Sequence, residues 1–127
     1  MQARTLRDHY VTSVVDTVSR GQLVVMLYDR LVQDMVVAET AMAISDLKVA
    51  SEALVHAQEI VLELRSGLDV TAWSGAPGLS QLYVFLYDQL LAANVQKDVA
   101  RVVQCRELVE PMRDAWADAA RSLGHGC

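Results

Sequence analysis

Apolar residues recur three and four positions apart through Leu47, Ala50, Leu54, Ala57, Val61, Leu64 and Leu68. With 3.6 residues per helical turn, that spacing draws a single seam along one face of a helix of about six turns. Three other stretches carry comparable seams. Leu23, Leu27, Leu31, Met35 (or Asp34), Ala38 and Met42 predict a helix over about 20–44. Val24, Tyr28, Val32 and Val36 widen its apolar face past half the circumference, so that helix must touch more than one neighbour. Leu79, Leu82, Leu86, Leu90 and Ala93 predict a helix over about 79–95, with Tyr83, Tyr87 and Leu91 as a second stripe. Val102, Cys105, Val109, Met112, Trp116, Ala119 and Leu123 predict a last helix over about 99–123. With the helix over 47–68, this is an all-α chain whose expected architecture is an antiparallel four-helix bundle.

Punctuation between the seams agrees with this division. Ser19 reads as an N-cap and Gln22, three residues on, as its capping-box partner. Ser45-Asp46 marks a turn, and Asp69 to Gly78 reads as a loop carrying Trp73 over one end of the bundle. Asn94 to Asp98 is a tight connection with Asp98 as the next N-cap, and Gly124 stops the last helix. Pro111 falls inside a seam that keeps its phase, which predicts a kink around Glu107 to Glu110 in one continuous helix. Residues 1–18 have weaker periodicity, with Leu6, Tyr10 and Val14 four apart. They read as a mobile N-terminal arm lying on a bundle formed by residues 19–124.

Composition narrows the function. A chain of 127 residues makes one domain with a real core. A hydrophobic share of 53% fits two readings equally: a helical bundle rich in small aliphatics, or a partner-binding protein with more apolar surface than a small core hides. A net charge of −5, with Arg and Lys scattered, argues against nonspecific nucleic-acid binding. No apolar run approaches the roughly 20 residues of a membrane span, and no signal-peptide pattern opens the chain. A cytosolic location, without membrane insertion, is therefore expected.

Candidate chemistry is sparse. His9, His56 and His125 are isolated, and Ala53 occupies the position where a Glu-x-x-His metal pair would need its glutamate. Glu52 and His56, one turn apart, read as a surface contact, and Asp29, Asp34, Asp88 and Asp98 as solvated or capping groups. No phosphate-binding glycine loop is present. Cys105 falls on a seam as a small core residue, and Cys127 is an exposed terminal thiol. No enzyme, metal site or cofactor is expected.

Tyr10, then Thr17-Val18-Ser19-Arg20-Gly21-Gln22-Leu23 and Met26-Leu27-Tyr28-Asp29, resembles the N-terminal signature of the flagellar secretion chaperone FliS family. Ala57-Gln58-Glu59-Ile60-Val61 with Glu63-Leu64 and Leu68-Asp69 resembles the same family. So do Leu82-Tyr83, Tyr87, Leu90, Ala93-Asn94 and Asp98, and finally Met112-Arg113-Asp114-Ala115-Trp116. Arg20 stands where that family usually has proline. The resemblance implies a four-helix bundle that binds the C-terminal segment of flagellin in the cytosol, prevents its premature polymerisation and delivers it to the flagellar type III export apparatus. Flagellin and components of the export gate are the implied partners. Candidate client-binding residues are Leu23, Leu27, Tyr28, Tyr83, Leu86, Tyr87, Leu90, Leu91 and Asn94, several of which must belong to the core. Leu6 and Tyr10 are the candidate lid that client displaces. Two other readings stand beside this one: a helical adaptor or regulator of another flagellar or cytosolic partner, and a structural homodimer.

Overall fold

The computed structural model describes the backbone of residues 6–125 and the side chains of residues 20–122. Its four helices are α1 (Leu6–Ala43), α2 (Leu47–Ser66), α3 (Ala76–Gln96) and α4 (Val99–His125). Short connections fold them back on one another. α1 packs against α2 and α4, and α3 packs against the same two. The described residues form an all-α four-helix bundle, with no strand among them.

Helix ends differ from the sequence expectation where punctuation was misleading. α1 begins at Leu6 and runs unbroken through Ser19 and Gln22, where a start was expected near Arg20. Arg20 keeps the backbone N–H that a proline would lack, so the helical ladder continues through it. Gly21 weakens such a helix by about 1 kcal/mol but does not stop it. The side chains of Leu6 and Tyr10, the candidate lid, lie outside the described residues, as does Cys127. α3 begins at Ala76 and takes Pro77 and Gly78 into its first turn, both of which read as loop. Proline is well placed there, because the first helical N–H groups have no partner to lose.

The other junctions are closed by polar groups. At the α1–α2 turn Ser45 is left-handed, with φ 57. The N–H of Asp46 reaches back to the Ala41 carbonyl at 2.8 Å. The Asp46 side chain then accepts from the Val49 N–H at 3.2 Å and caps α2. Lys97 is the second left-handed residue, φ 54, closing α3. Asp98 accepts from the Arg101 N–H at 3.4 Å, in the capping role its position predicts. α4 is a single helix across Pro111.

All four helices supply the core. Tyr28, Leu31 and Met35 from α1 meet Leu54 and Val61 of α2, Leu86 and Leu90 of α3, and Val102 and Val109 of α4. Cys105 is buried among them, as its seam position predicts. Polar ties join the helices at several points. The Tyr28 and Tyr83 hydroxyls hydrogen-bond at 2.5 Å through the interior, joining α1 to α3 on the diagonal. Arg106 grips both carboxylate oxygens of Glu39, at 2.6 and 3.1 Å, joining α4 to α1. Asp34, expected to be solvated, is instead buried on the α1 seam. Its carboxylate is held by Arg30 Nε at 3.2 Å and His56 Nδ1 at 2.5 Å, so His56 ties α2 to α1 and forms no ion pair with Glu52. No described helix is long and apolar enough to cross a membrane.

Candidate functional site

The outer face of the seam between α2 and α3 carries exposed apolar side chains. Two cross-helix hydrogen bonds mark the line of this seam. At one end Asn94 Nδ2 donates to Ser51 Oγ at 3.2 Å, and at the other Arg65 Nε donates to Ser80 Oγ at 3.3 Å. Between these clasps each helix carries a stripe in steps of four and three. On α2 it runs Ser51, Val55, Gln58, Leu62, Arg65, and on α3 Ser80, Val84, Tyr87, Leu91, Asn94. Such steps keep residues on one face of a helix. The middle member of each stripe is sunk, with Gln58 buried and Tyr87 half-buried against the core. The aliphatic members stand clear: Val55 is 45% exposed, Leu62 48%, Val84 39% and Leu91 44%. The result is a shallow apolar groove with a partly polar floor. Spanning 14 residues of helix at 1.5 Å each, it is about 20 Å long.

A second opening lies at the end of the bundle where α2 gives way to the loop. It is a cavity of about 530 Å³, bounded by Leu23 and Leu27 of α1, Leu64 of α2 and Leu68 just past its end, Tyr83 of α3 and Trp116 of α4. A space of this size falls within the range of small-ligand pockets and holds several large side chains. Its wall is mostly apolar, with Arg20, Glu63 and Asp69 among its polar members.

The candidate residues therefore separate by position. Leu23 and Leu27 face the end cavity, which Tyr83 also lines. Tyr87, Leu91 and Asn94 belong to the groove. Asn94 is held there twice, by Ser51 and by Lys97 Nζ, which donates to its Oδ1 at 2.9 Å. Tyr28, Leu86 and Leu90 are fully buried in the free chain. Sequence reasoning missed Val55, Leu62 and Val84. The signal for them was a four-three stripe running beside the main seam, legible only once the partner helix is known. Trp73, expected over a bundle end, is half-exposed in the loop, with its indole against Gly75.

Electrostatically neither opening is set up for reaction chemistry. Burial pushes the Tyr83 hydroxyl far above the ordinary tyrosine value, reinforced by Tyr28. Burial raises Tyr28 too, opposed by its hydrogen bonds to Tyr83 and Trp116. Both are neutral donors and acceptors at any physiological pH. Burial likewise pushes the Cys105 thiol up to about 11, the opposite of an activated nucleophile. Among the described residues no three metal-ligating side chains cluster. What the surface offers is apolar area with amides and hydroxyls, and charged side chains at its margins.

These features define a class: a small all-α bundle that leaves apolar surface open between its helices and at one end. The family model Flagellar protein FliS matches residues 2–123. Three curated relatives named Flagellar secretion chaperone FliS are similar to this chain. That of Bacillus subtilis (strain 168) is 29% identical over 113 residues, covering 89% of this chain and 84% of the relative. That of Salmonella typhimurium (strain LT2) is 32% identical over 108 residues, covering 84% and 80%. That of Escherichia coli (strain K12) is 31% identical over 114 residues, covering 88% and 84%. The chain belongs to the FliS family of flagellar secretion chaperones, which is a family of chaperones rather than of enzymes.

Proposed function

We propose that this chain is a cytosolic export chaperone that binds the C-terminal segment of flagellin, keeps it from polymerising early and hands it to the flagellar type III export apparatus. The observation that carries this reading is the open α2–α3 groove, where Val55, Leu62, Val84 and Leu91 leave about half of each aliphatic side chain in water. Amphipathic helices dock into grooves of this kind through residues spaced three and four apart. Covering the four exposed halves yields about 3–5 kcal/mol gross. That is too little to order a disordered segment and still hold it, since ordering alone costs several kcal/mol. The client must therefore reach beyond the groove, and the end cavity beside Leu23 and Leu27 is the second apolar anchorage.

The test is calorimetric titration with a peptide copying the last ~40 residues of the host's flagellin, enough helix to reach along a bundle of this size. The parent chain binds it. Leu91→Glu places a charge in the groove at a site already exposed, so it leaves the melting temperature nearly unchanged and weakens binding at least tenfold. Tyr87→Ala weakens it by more than about 1 kcal/mol with helicity intact. A parent chain that ignores the peptide removes the reading.

A further inference from the structure

Gln58 lies on the floor of the α2–α3 groove, midway between Val55 and Leu62, and is only 7% exposed. Among the described residues nothing hydrogen-bonds its amide. Yet no described side-chain N or O is both sealed from solvent and unpartnered, so the amide keeps its contact with water through the mouth of the groove. Any occupant that covers the groove closes that mouth. An aliphatic surface laid over Gln58 strands a buried amide, which costs far more than an ordinary mismatch. An occupant with its own amide or hydroxyl at that height removes the cost.

The wall spacing says where that group must sit. Val55 and Leu62 are seven residues apart, and so are Val84 and Leu91, the repeat at which a third helix packs knobs into holes. A polar side chain at one such inward position fixes register, because every other register leaves it unpaired. Cations stand only toward the two ends of the groove, Lys48 and Lys97 at one and Arg65 at the other, and the middle of the walls is acidic on its solvent side. Glu59 and Asp88 are exposed and enter no ion pair among the described residues. An occupant's margins meet uncompensated carboxylates there.

We propose that the α2–α3 groove accepts an amphipathic helix in one register, set by a hydrogen bond between Gln58 and an amide or hydroxyl side chain lying between two aliphatic anchors, with Lys or Arg along the helix margins. This rests on the docking reading above and specifies the chemistry of what docks. Gln58 is thus a specificity-determining residue, whereas Val55, Leu62, Val84 and Leu91 supply undirected apolar contact.

The experiment titrates parent, Gln58→Leu, Gln58→Met and Glu59→Lys/Asp88→Lys chains with the flagellin C-terminal peptide, alongside thermal melts. Both apolar substitutions keep or raise the melting temperature, since they remove a poorly satisfied buried amide. Both weaken peptide affinity about fivefold, the worth of one net hydrogen bond. Methionine, unbranched like glutamine, gives the answer even where leucine disturbs the packing. The double charge reversal weakens binding several-fold at 50 mM salt, and the gap narrows at 500 mM as screening takes over. Parent-like affinity in both Gln58 variants overturns the register claim, and parent-like affinity in the double reversal overturns the basic margins. A parent chain that does not bind at all removes the docking reading and this inference with it. Binding by the parent with equal binding by the variants removes only this inference.

Discussion

Tyr28 and Tyr83 share one hydrogen bond inside the bundle, and among the described residues it is the only one the Tyr83 hydroxyl makes. Tyr28→Phe leaves the Tyr83 hydroxyl stranded in the core and costs about 1–3 kcal/mol. Adding Tyr83→Phe removes the stranded group, so the double variant is more stable than the sum of the singles predicts. Denaturant titration of the four chains reads this as a coupling energy. The Cys105 thiol gives a pH dependence of definite sign. Its folded value, up to about 11, lies above the ordinary thiol value near 8.5. The folded chain therefore holds the proton more tightly than the unfolded chain does. That contribution is full below about pH 8.5 and is lost as pH rises toward 11. Melting temperature is expected to fall across that window. Cys105→Ala starts lower at pH 7, because it opens a small cavity, but loses less between pH 8.5 and 10. Parallel curves for the two chains would refute the assignment.

At the scale of the helix, two positions are poorer than they need be. Gly21 lies within α1, and a methyl group added there meets nothing within 4 Å. Gly21→Ala should stabilise the chain by about 1 kcal/mol, or roughly 3–5 °C for a domain of this size. Ser45 sits in the left-handed region at the α1–α2 turn, where Ser45→Gly relieves about 1 kcal/mol. Differential scanning calorimetry checks both. The same two residues show where sequence reading succeeds and stops. The seams located all four helices, because a three-four repeat of apolar residues has no other stable use. Capping signals located the α4 start, since Asp98 offers a carboxylate just before a run of apolar residues. They misplaced the starts of α1 and α3, and Gly124 does not stop α4, which runs to His125. Ser19-Arg20-Gly21-Gln22 has the chemistry of a helix start but no residue that forbids continuation. Pro77 reads as a loop residue and fits a first turn equally well. Asp34 was misjudged as solvated for a related reason: its partner His56 lies on another helix, and only tertiary packing brings them together.

Across the whole molecule, the helices form a closed ring with unequal finish. The α1–α4 side is tied by Arg106, which spans Glu39 and Glu110. Among the described residues the α2–α3 side has only two hydrogen-bonded clasps and no ion pair, with exposed aliphatics between them. Composition indicated a surplus of apolar residues, but not where the surplus lies. That depends on which helices are neighbours and how each is rotated about its axis. Leu86 and Leu91 lie on adjacent apolar stripes of α3, either of which could face a partner, and rotation puts one in the core and the other on the groove.

The two tryptophans happen to report on different places. Trp116 lines the end cavity, its ring 6.2 Å from that of Tyr28, whereas Trp73 stands half in water on the loop. Neither is on the groove stripes. With Trp73→Phe in place, the remaining indole emission becomes a gauge of one opening alone. A ligand that fills the cavity shifts it to the blue, and one that lies only along α2 and α3 leaves it still. Stopped-flow emission beside calorimetric heat would then order the steps in which a long guest settles, without attaching a dye to either molecule.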